Sequence, residues 1–441
     1  MNRPNLLLVH CHDLGQHIGP YGVDTVHTPA LDRLASESVL FTNSFCSSPG
    51  CSPSRASMMT GRWPHATGVL GLTHGPFRWA LNDDEVHLAQ FLAAAGYTTH
   101  LIGVQHVVPE ARVARLGYHT REPGGKAPNV GRTVRARLQQ QKDSGKPFFL
   151  SVGFVQPHRD FRMHDTEPDS SKGVYVPGYV PQQTEAQAAA ARAEFAEIQG
   201  AIRDVDAGVD IILGAVDELG LRDNTVVVFT ADHGIAMPRA KCSLYDPGIE
   251  VPLIMRAPMW GTQPGTRLEG LVSNVDYFPT FAEALELEPP PGRIQGLSFL
   301  AYLRGGKPHR SEIFAEKTYH TDYDPLRCVR TEKFKCIINF DLNEAYDSPT
   351  DIKKGAIYRT GIEHFCETRR MFELYDLTED RWELNNVSGA EQYARVEEEL
   401  RGRILAWMRE TQDPLLRGPV GSRYYGDVMK ELGVSMEARI P

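Results

Sequence analysis

Short apolar runs alternate along the chain with stretches of helical periodicity, the pattern of a mostly parallel sheet covered by helices. Asn5 to Cys11 reads as a buried strand that ends in His12-Asp13. Thr28-Pro29 opens a short helix carrying Leu31, Leu34 and Ala35, with Thr28 as its expected N-cap and the proline in its first turn. Val39 to Phe45 reads as a strand, Glu85 to Ala95 as a helix and Thr98 to Val104 as a strand. Pro147 to Val155 is an apolar strand running into Gln156-Pro157-His158. The longest helical signal spans Thr184 to Leu219. There Phe195, Ile198, Ile202, Val205, Val209, Ile212, Val216 and Leu219 recur at spacings of three and four, a stripe suited to core packing. Thr184 with Gln187 resembles a capping box. Thr225 to Thr230 is a β-branched strand that continues into Ala231-Asp232-His233-Gly234.

Four strands therefore end in polar residues: His12-Asp13, His106, His158 and Asp232-His233. Ligands of open α/β sheets bind beyond the carboxyl ends of the strands, which places the candidate site there. The polar, Pro-containing segment Thr166 to Gln183 reads as a long surface loop near it. After about residue 320 the pattern changes. Arg327 to Asn339 alternates like antiparallel strands, Glu373 to Leu377 adds another, and a helix runs from about Glu391 to Met408. The expected fold class is α/β, with a large mostly parallel sheet flanked by helices over residues 1–323. A smaller C-terminal α+β domain with an antiparallel sheet follows over 324–441.

Composition narrows the function classes. The chain has 441 residues, 41% apolar, with 39 Gly and 30 Pro. That supports a packed core and argues against a disordered or fibrous chain. With 47 Lys+Arg against 56 Asp+Glu, the net charge of −9 offers no global field for nucleic acid or an anionic membrane. No window approaches the ~18 apolar residues of a membrane span. The first apolar stretch is too short for a signal-peptide core, so the expected location is cytoplasmic. The odd count of seven cysteines (Cys11, Cys46, Cys51, Cys242, Cys328, Cys336 and Cys366) then points to reduced thiols.

The chemistry centres on Cys51-Ser52-Pro53-Ser54-Arg55, followed by Thr60-Gly61-Arg62. This stretch resembles the sulfatase signature, in which the Cys is oxidised after translation to formylglycine. Asn5 to Asp13 with Gly15 and Tyr21-Gly22, Thr28 to Ala35, Thr230 to Gly234, Lys241, Pro247-Gly248 and Val251-Pro252-Leu253 follow in that family's order. Glu373 to Leu377 with Asn385-Asn386 resembles its C-terminal signature. Pro157-His158-Arg159, Asn339, and Trp407 with Glu410, Thr411, Asp413 and Pro414 are most similar to heparan N-sulfatases (sulfamidases).

The resemblance implies an alkaline phosphatase-like sulfatase fold and a hydrolase of sulfate esters or N-sulfated sugars. Residue 51, as the hydrated aldehyde, would carry two hydroxyls on one carbon: one attacks sulfur, and the other, once deprotonated, expels sulfate. Arg55 would hold its oxygens by charge-assisted hydrogen bonds. His106 takes the place of the base, His158 that of the leaving-group acid, and Lys241 would neutralise a sulfate oxygen. Asp13, Asp232, His233, residue 51 and His12 are the expected surroundings of one divalent metal ion. His17, His74 and His320 are read as structural, with His320 a candidate to line a substrate pocket, and Arg239 as an exposed charge. The implied partners are a small-molecule or sugar sulfate and a formylglycine-generating enzyme, with a homodimer as the prior assembly and neither nucleic acid nor membrane.

Three positions, in two places, depart from the family pattern. His12 replaces the first of two carboxylates at the metal turn, and His233 replaces the usual Asn. Imidazole suits manganese and zinc, whereas oxygen cages suit calcium, so manganese or zinc is expected, with calcium the alternative. His12 could instead orient ligands without binding the ion. Val104 stands where the family commonly has Lys, which removes one positive charge. An Asp-His metal pair also occurs in phosphonate monoester and phosphodiester hydrolases of the same superfamily, which are the alternative function. A non-hydrolytic glycan-binding protein is a further one, against which the intact motif argues.

Overall fold

The computed structural model describes residues 3–74, 76–343, 348–362 and 369–434; Cys366 lies outside them. Fourteen strands occur among the described residues: β1 (Asn5–Cys11), β2 (Val39–Phe41), β3 (Ser44–Phe45), β4 (Thr98–Gly103), β5 (Thr120–Glu122), β6 (Phe148–Gly153), β7 (Thr225–Ala231), β8 (Leu253–Arg256), β9 (Thr266–Leu268), β10 (Val272–Ser273), β11 (Glu312–Tyr319), β12 (Tyr323–Thr331), β13 (Phe334–Asn339) and β14 (Phe372–Asp376). Eight form one sheet in the order β5-β4-β6-β1-β7-β8-β2-β9. Its central strands run parallel, and only β8 runs against its neighbours β7 and β2. β1, β6 and β7 are buried throughout, which is why they read as continuous apolar runs rather than alternating ones.

Strand alternation divides the core in two. Leu7, Val9 and Cys11 face one cluster with Val130, Val134 and Leu138 of the helix Ala127–Lys142 and the Phe195–Val216 stripe of the helix Glu185–Glu218. Leu6 and Leu8 face the other, with Ala56, Met58, Leu88, Leu92, Leu400 and Ile404. Thr184 and Gln187 form the expected capping box. The expected strand over 39–45 is two: β2 joins the large sheet, while β3 pairs with β10. Thr28 sits at the N-cap of Pro29–Ser36 but does not cap it. Its Oγ1 accepts from Gly19 N, and the Asp206 carboxylate instead accepts from the backbone N–H of Ala30 and Leu31 at 3.1 and 2.8 Å. Residues 166–183 form the expected surface loop, drawn as a strap onto the long helix. Gln199 donates to the carbonyls of Asp169 and Gly173, and Tyr179 and Val180 are buried.

The second sheet is antiparallel in the order β11-β12-β13-β14. It starts at Glu312, ahead of the change of pattern near 320, because the interior of β11 is buried on both faces and does not alternate. No helix among the described residues is long and apolar enough to cross a membrane.

Candidate active site

The register of the central strands sets the site. His10 pairs with Gly153 of β6 and with Thr230 of β7, and Gly103 of β4 pairs with Gly153. The segments after β1, β4, β6 and β7 therefore emerge side by side at one sheet edge. They carry His12-Asp13, His106, His158 and Asp232-His233. The backbones pack too closely there for a side chain at two positions. Gly103 has φ +91°, and an added Cβ would lie 2.1 Å from Gly153 O; a Cβ on Gly234 would lie 1.9 Å from Pro247 O.

Cys51 is the first residue of the helix Cys51–Thr60, which is buried along its whole length. Ser54 and Arg55 of this helix are satisfied from outside. Ser54 Oγ donates to the Asp232 carbonyl, and Asn274 Nδ2 donates to Ser54 O and Oγ at 3.1 and 2.9 Å. Arg55, one turn beyond Cys51, donates from Nε to Asp232 Oδ2 at 3.0 Å and from Nη2 to Cys11 O at 3.3 Å, and its Nη1 lies 2.5 Å from His10 Nδ1. Its described contacts thus run to the strand ends rather than to Cys51.

His12, Asp13, Cys51, Asp232 and His233 bring their donor atoms within 4.8 Å of one another, all buried. His12 Nδ1 lies 3.0 Å from Asp232 Oδ2 and 3.2 Å from Asp13 Oδ1. His233 Nδ1 donates to Gly234 O at 2.9 Å, which turns Nε2 toward Asp13 Oδ1 at 3.0 Å and Cys51 Sγ at 3.4 Å. Burial opposes protonation of both imidazoles, but Asp232, Asp13 and Cys51 together outweigh it. His12 is raised to about 9, and His233 well above its ordinary range. Two buried carboxylates balanced by two imidazole protons make a donor set that fits one divalent cation, which would displace those protons. The same two His residues and Lys241 overcome burial to hold the Cys51 thiol well below its ordinary pKa.

The remaining candidates frame Cys51. His106, with φ +50°, lies against the Cys51 thiol and presents Nδ1 to His12 Nε2 at 3.2 Å. Burial pushes its pKa down to about 4. His158 has Nδ1 against Arg159 O, leaving Nε2 3.2 Å from Lys241 Nζ. Lys241 is buried and donates to Asp13 Oδ2 at 2.8 Å, and Asp13 together with Cys51 and Asp351 outweighs burial to raise its pKa. All eight candidates thus gather around residue 51.

Sequence reasoning missed two neighbours. His10 looked like a strand-interior residue. Asp351 lies 3.2 Å from Lys241 Nζ but 110 residues away in sequence, and no local signal marks it. Two histidines read as structural border the site: the His74 ring stands 5.3 Å from that of His106, and His320 abuts Gly50. His17 packs between Tyr175 and Phe195. Arg239 is buried rather than exposed. It donates to the carbonyls of Trp382 and Glu383 and stacks over Tyr245, so its charge is used to hold the C-terminal layer.

Comparison with known proteins gives matches along most of the chain. The profile described as Sulfatase matches residues 4–287, and that of the N-sulphoglucosamine sulphohydrolase C-terminal region matches residues 239–358. Human N-sulphoglucosamine sulphohydrolase is 32% identical, covering 95% of this chain and 92% of that protein. Among solved structures, a 2-O GAG sulfatase superposes with TM-score 0.74 at 22% identity, covering 96% of this chain and 95% of that one. The phosphonate monoester hydrolase of Agrobacterium radiobacter superposes with TM-score 0.71 at 20% identity, covering 93% and 96%.

Proposed function

The chain belongs to the sulfatase family and is a hydrolase of sulfate esters or sulfamates, and from that premise we propose that it cleaves the N-sulfate of an amino sugar through residue 51 matured to formylglycine. The 32% identity to a sulphohydrolase of N-sulphoglucosamine favours N-sulfated glucosamine as the substrate class. The observation that carries the mechanism is the convergence of Cys51 with His106 on one side and the Lys241–His158 pair on the other.

Matured residue 51 supplies two hydroxyls on one carbon, one to attack sulfur and one whose deprotonation releases sulfate. His106, against residue 51, is placed to take that proton. His158 Nε2, in contact with the Lys241 ammonium, is placed to protonate the leaving nitrogen or oxygen. Arg55 holds Asp232, and Lys241 holds Asp13, so both cations orient the carboxylates that would bind the metal. A divalent ion held by Asp13, Asp232, His12 and His233 would polarise the sulfate oxygens. Two imidazoles among the ligands favour manganese or zinc over calcium. Cys11, Cys46, Cys51, Cys328 and Cys336 are buried free thiols, which suits a reducing compartment such as the cytoplasm.

The same nucleophile and a metal site with imidazole ligands also serve phosphonate monoester hydrolysis. Parallel assays with an aryl sulfate, glucosamine N-sulfate and an aryl phosphonate monoester separate the two functions. Sulfate release is expected to dominate; phosphonate turnover greater by orders of magnitude overturns the sulfatase proposal. Chelation should abolish sulfate release, and added manganese or zinc should restore it at lower concentration than calcium. Isothermal titration should give one site per chain, and tighter calcium binding would reverse the metal choice.

A further inference from the structure

The turn of helix Thr350–Lys353 belongs to the excursion between β13 and β14, yet it rests on the catalytic layer. Glu194 of the long helix accepts from the backbone N–H of Ala356 and of Ile357, and Arg159 Nη2 pairs with Glu194 Oε2 at 3.1 Å. A Cβ on Gly355 would stand 2.7 Å from Glu194 Oε1, so this docking is close. It delivers Asp351 to the leaving-group side of the site. Asp351 Oδ2 is anchored on Lys241 Nζ at 3.2 Å, and the carboxylate lies within 4.8 Å of the facing atoms of Asp13 and His158. Its other oxygen takes part in no hydrogen bond among the described residues, and the side chain remains 25% exposed. One carboxylate oxygen is thus held by Lys241, while the other is left to accept beside His158, the residue proposed to protonate the leaving atom.

We infer that Asp351 is a specificity-determining residue that selects a hydrogen-bond donor, a hydroxyl or an N–H, beside the sulfated atom and rejects a second sulfate there. The inference rests on the proposed hydrolysis of an N-sulfated sugar. A free carboxylate oxygen accepts a charge-assisted hydrogen bond from a vicinal hydroxyl. An anion in the same place meets like charge, the repulsive half of specificity. The enzyme class that removes a vicinal O-sulfate would then have to act before this one.

The test compares wild type, Asp351→Asn and Asp351→Glu on two probes, glucosamine N-sulfate and glucosamine 2-N,3-O-disulfate, by release of the N-linked sulfate. Wild type should prefer the monosulfate. In Asp351→Asn the ratio of kcat/KM between the probes should fall about 10- to 100-fold, the scale of a hydrogen bond to a charged group, with the loss on the monosulfate mainly in KM. Asp351→Glu, which keeps the charge, should keep the order of preference. A residue that only holds Lys241 would lower both probes by the same factor, and an unmoved ratio overturns the assignment. If wild type releases sulfate from neither probe, the N-sulfated sugar itself is the wrong substrate class and the assignment falls with it.

Discussion

Cys51→Ala is expected to lose at least about 10^4-fold in kcat/KM toward any sulfate substrate, the scale on which a covalent nucleophile contributes. The loss should be chemical rather than structural. Sγ lies among His233, His106 and the carboxylates, not in the apolar core, and alanine keeps the helix start at residue 51. Circular dichroism of the variant should therefore match wild type. Mass spectrometry of the peptide spanning residues 51–55 should find an aldehyde at position 51 in active protein. Cys51→Ser gives a complementary result. A serine hydroxyl can attack sulfur once, but without a second hydroxyl on the same carbon it cannot expel sulfate, so turnover should not follow. Full activity in the alanine variant, or an unmodified thiol in fully active protein, would remove residue 51 from the chemistry.

The surroundings of residue 51 explain why chemistry concentrates there. A cationic ring of His12, His233 and Lys241 overcomes burial to favour an anion at this position. Arg55 and Lys241 are not spare cations. Each is committed to a carboxylate of the candidate metal cluster, so the field that a substrate anion meets is largely that of the cluster and its ion. Asp351, against Lys241, lowers the positive charge further. A site of that charge suits singly charged groups such as sulfate esters and sulfamates.

What the sequence made legible was whatever is local in the chain. β1, β6 and β7 show as apolar runs because both of their faces are covered, and the polar residues after them mark the sheet edge where the site lies. The Cys51 motif is contiguous because one helix start carries residue 51 and Arg55. Side chains whose role depends on distant packing were hidden. Asp351 reaches Lys241 only because an excursion of the second sheet docks on Glu194. Arg239 has the pattern of a surface residue, but two carbonyls of the C-terminal layer bury it. Thr28 has the local signature of a cap, yet Asp206 of the long helix does the capping from 178 residues away. β11 lacks alternation because both of its faces are covered.

The same dependence on distant packing governs the second large effect, at the joint between the two sheets. Arg327 of β12 is fully buried and grips Asp413 with two parallel bonds, Nε to Oδ2 at 2.5 Å and Nη2 to Oδ1 at 3.0 Å. Glu316 of β11 lies 3.2 Å from the same guanidinium and accepts from His65 Nδ1 at 2.8 Å, just beyond the helix that begins at Cys51. Asp413→Asn should cost about 3–5 kcal/mol, because it leaves a buried guanidinium short of its partner. The Asn oxygen can still accept from Leu415 N, as Asp413 does at 3.0 Å, while its amide nitrogen would meet Arg327 Nε donor to donor, so the loss combines the charge with one hydrogen bond. Burial opposes ionisation of Asp413, but Arg327 and His65 outweigh it and hold its pKa below the ordinary value. Its contribution is therefore present above the unfolded carboxylate pKa, about 3.9, and is lost as pH falls through the lower folded value. Denaturation midpoints of wild type and Asp413→Asn should accordingly differ most near neutrality and converge in acid. A cost under about 1 kcal/mol at neutral pH, the range of an exposed pair, would show that this ion pair does not staple the C-terminal layer to the nucleophile helix.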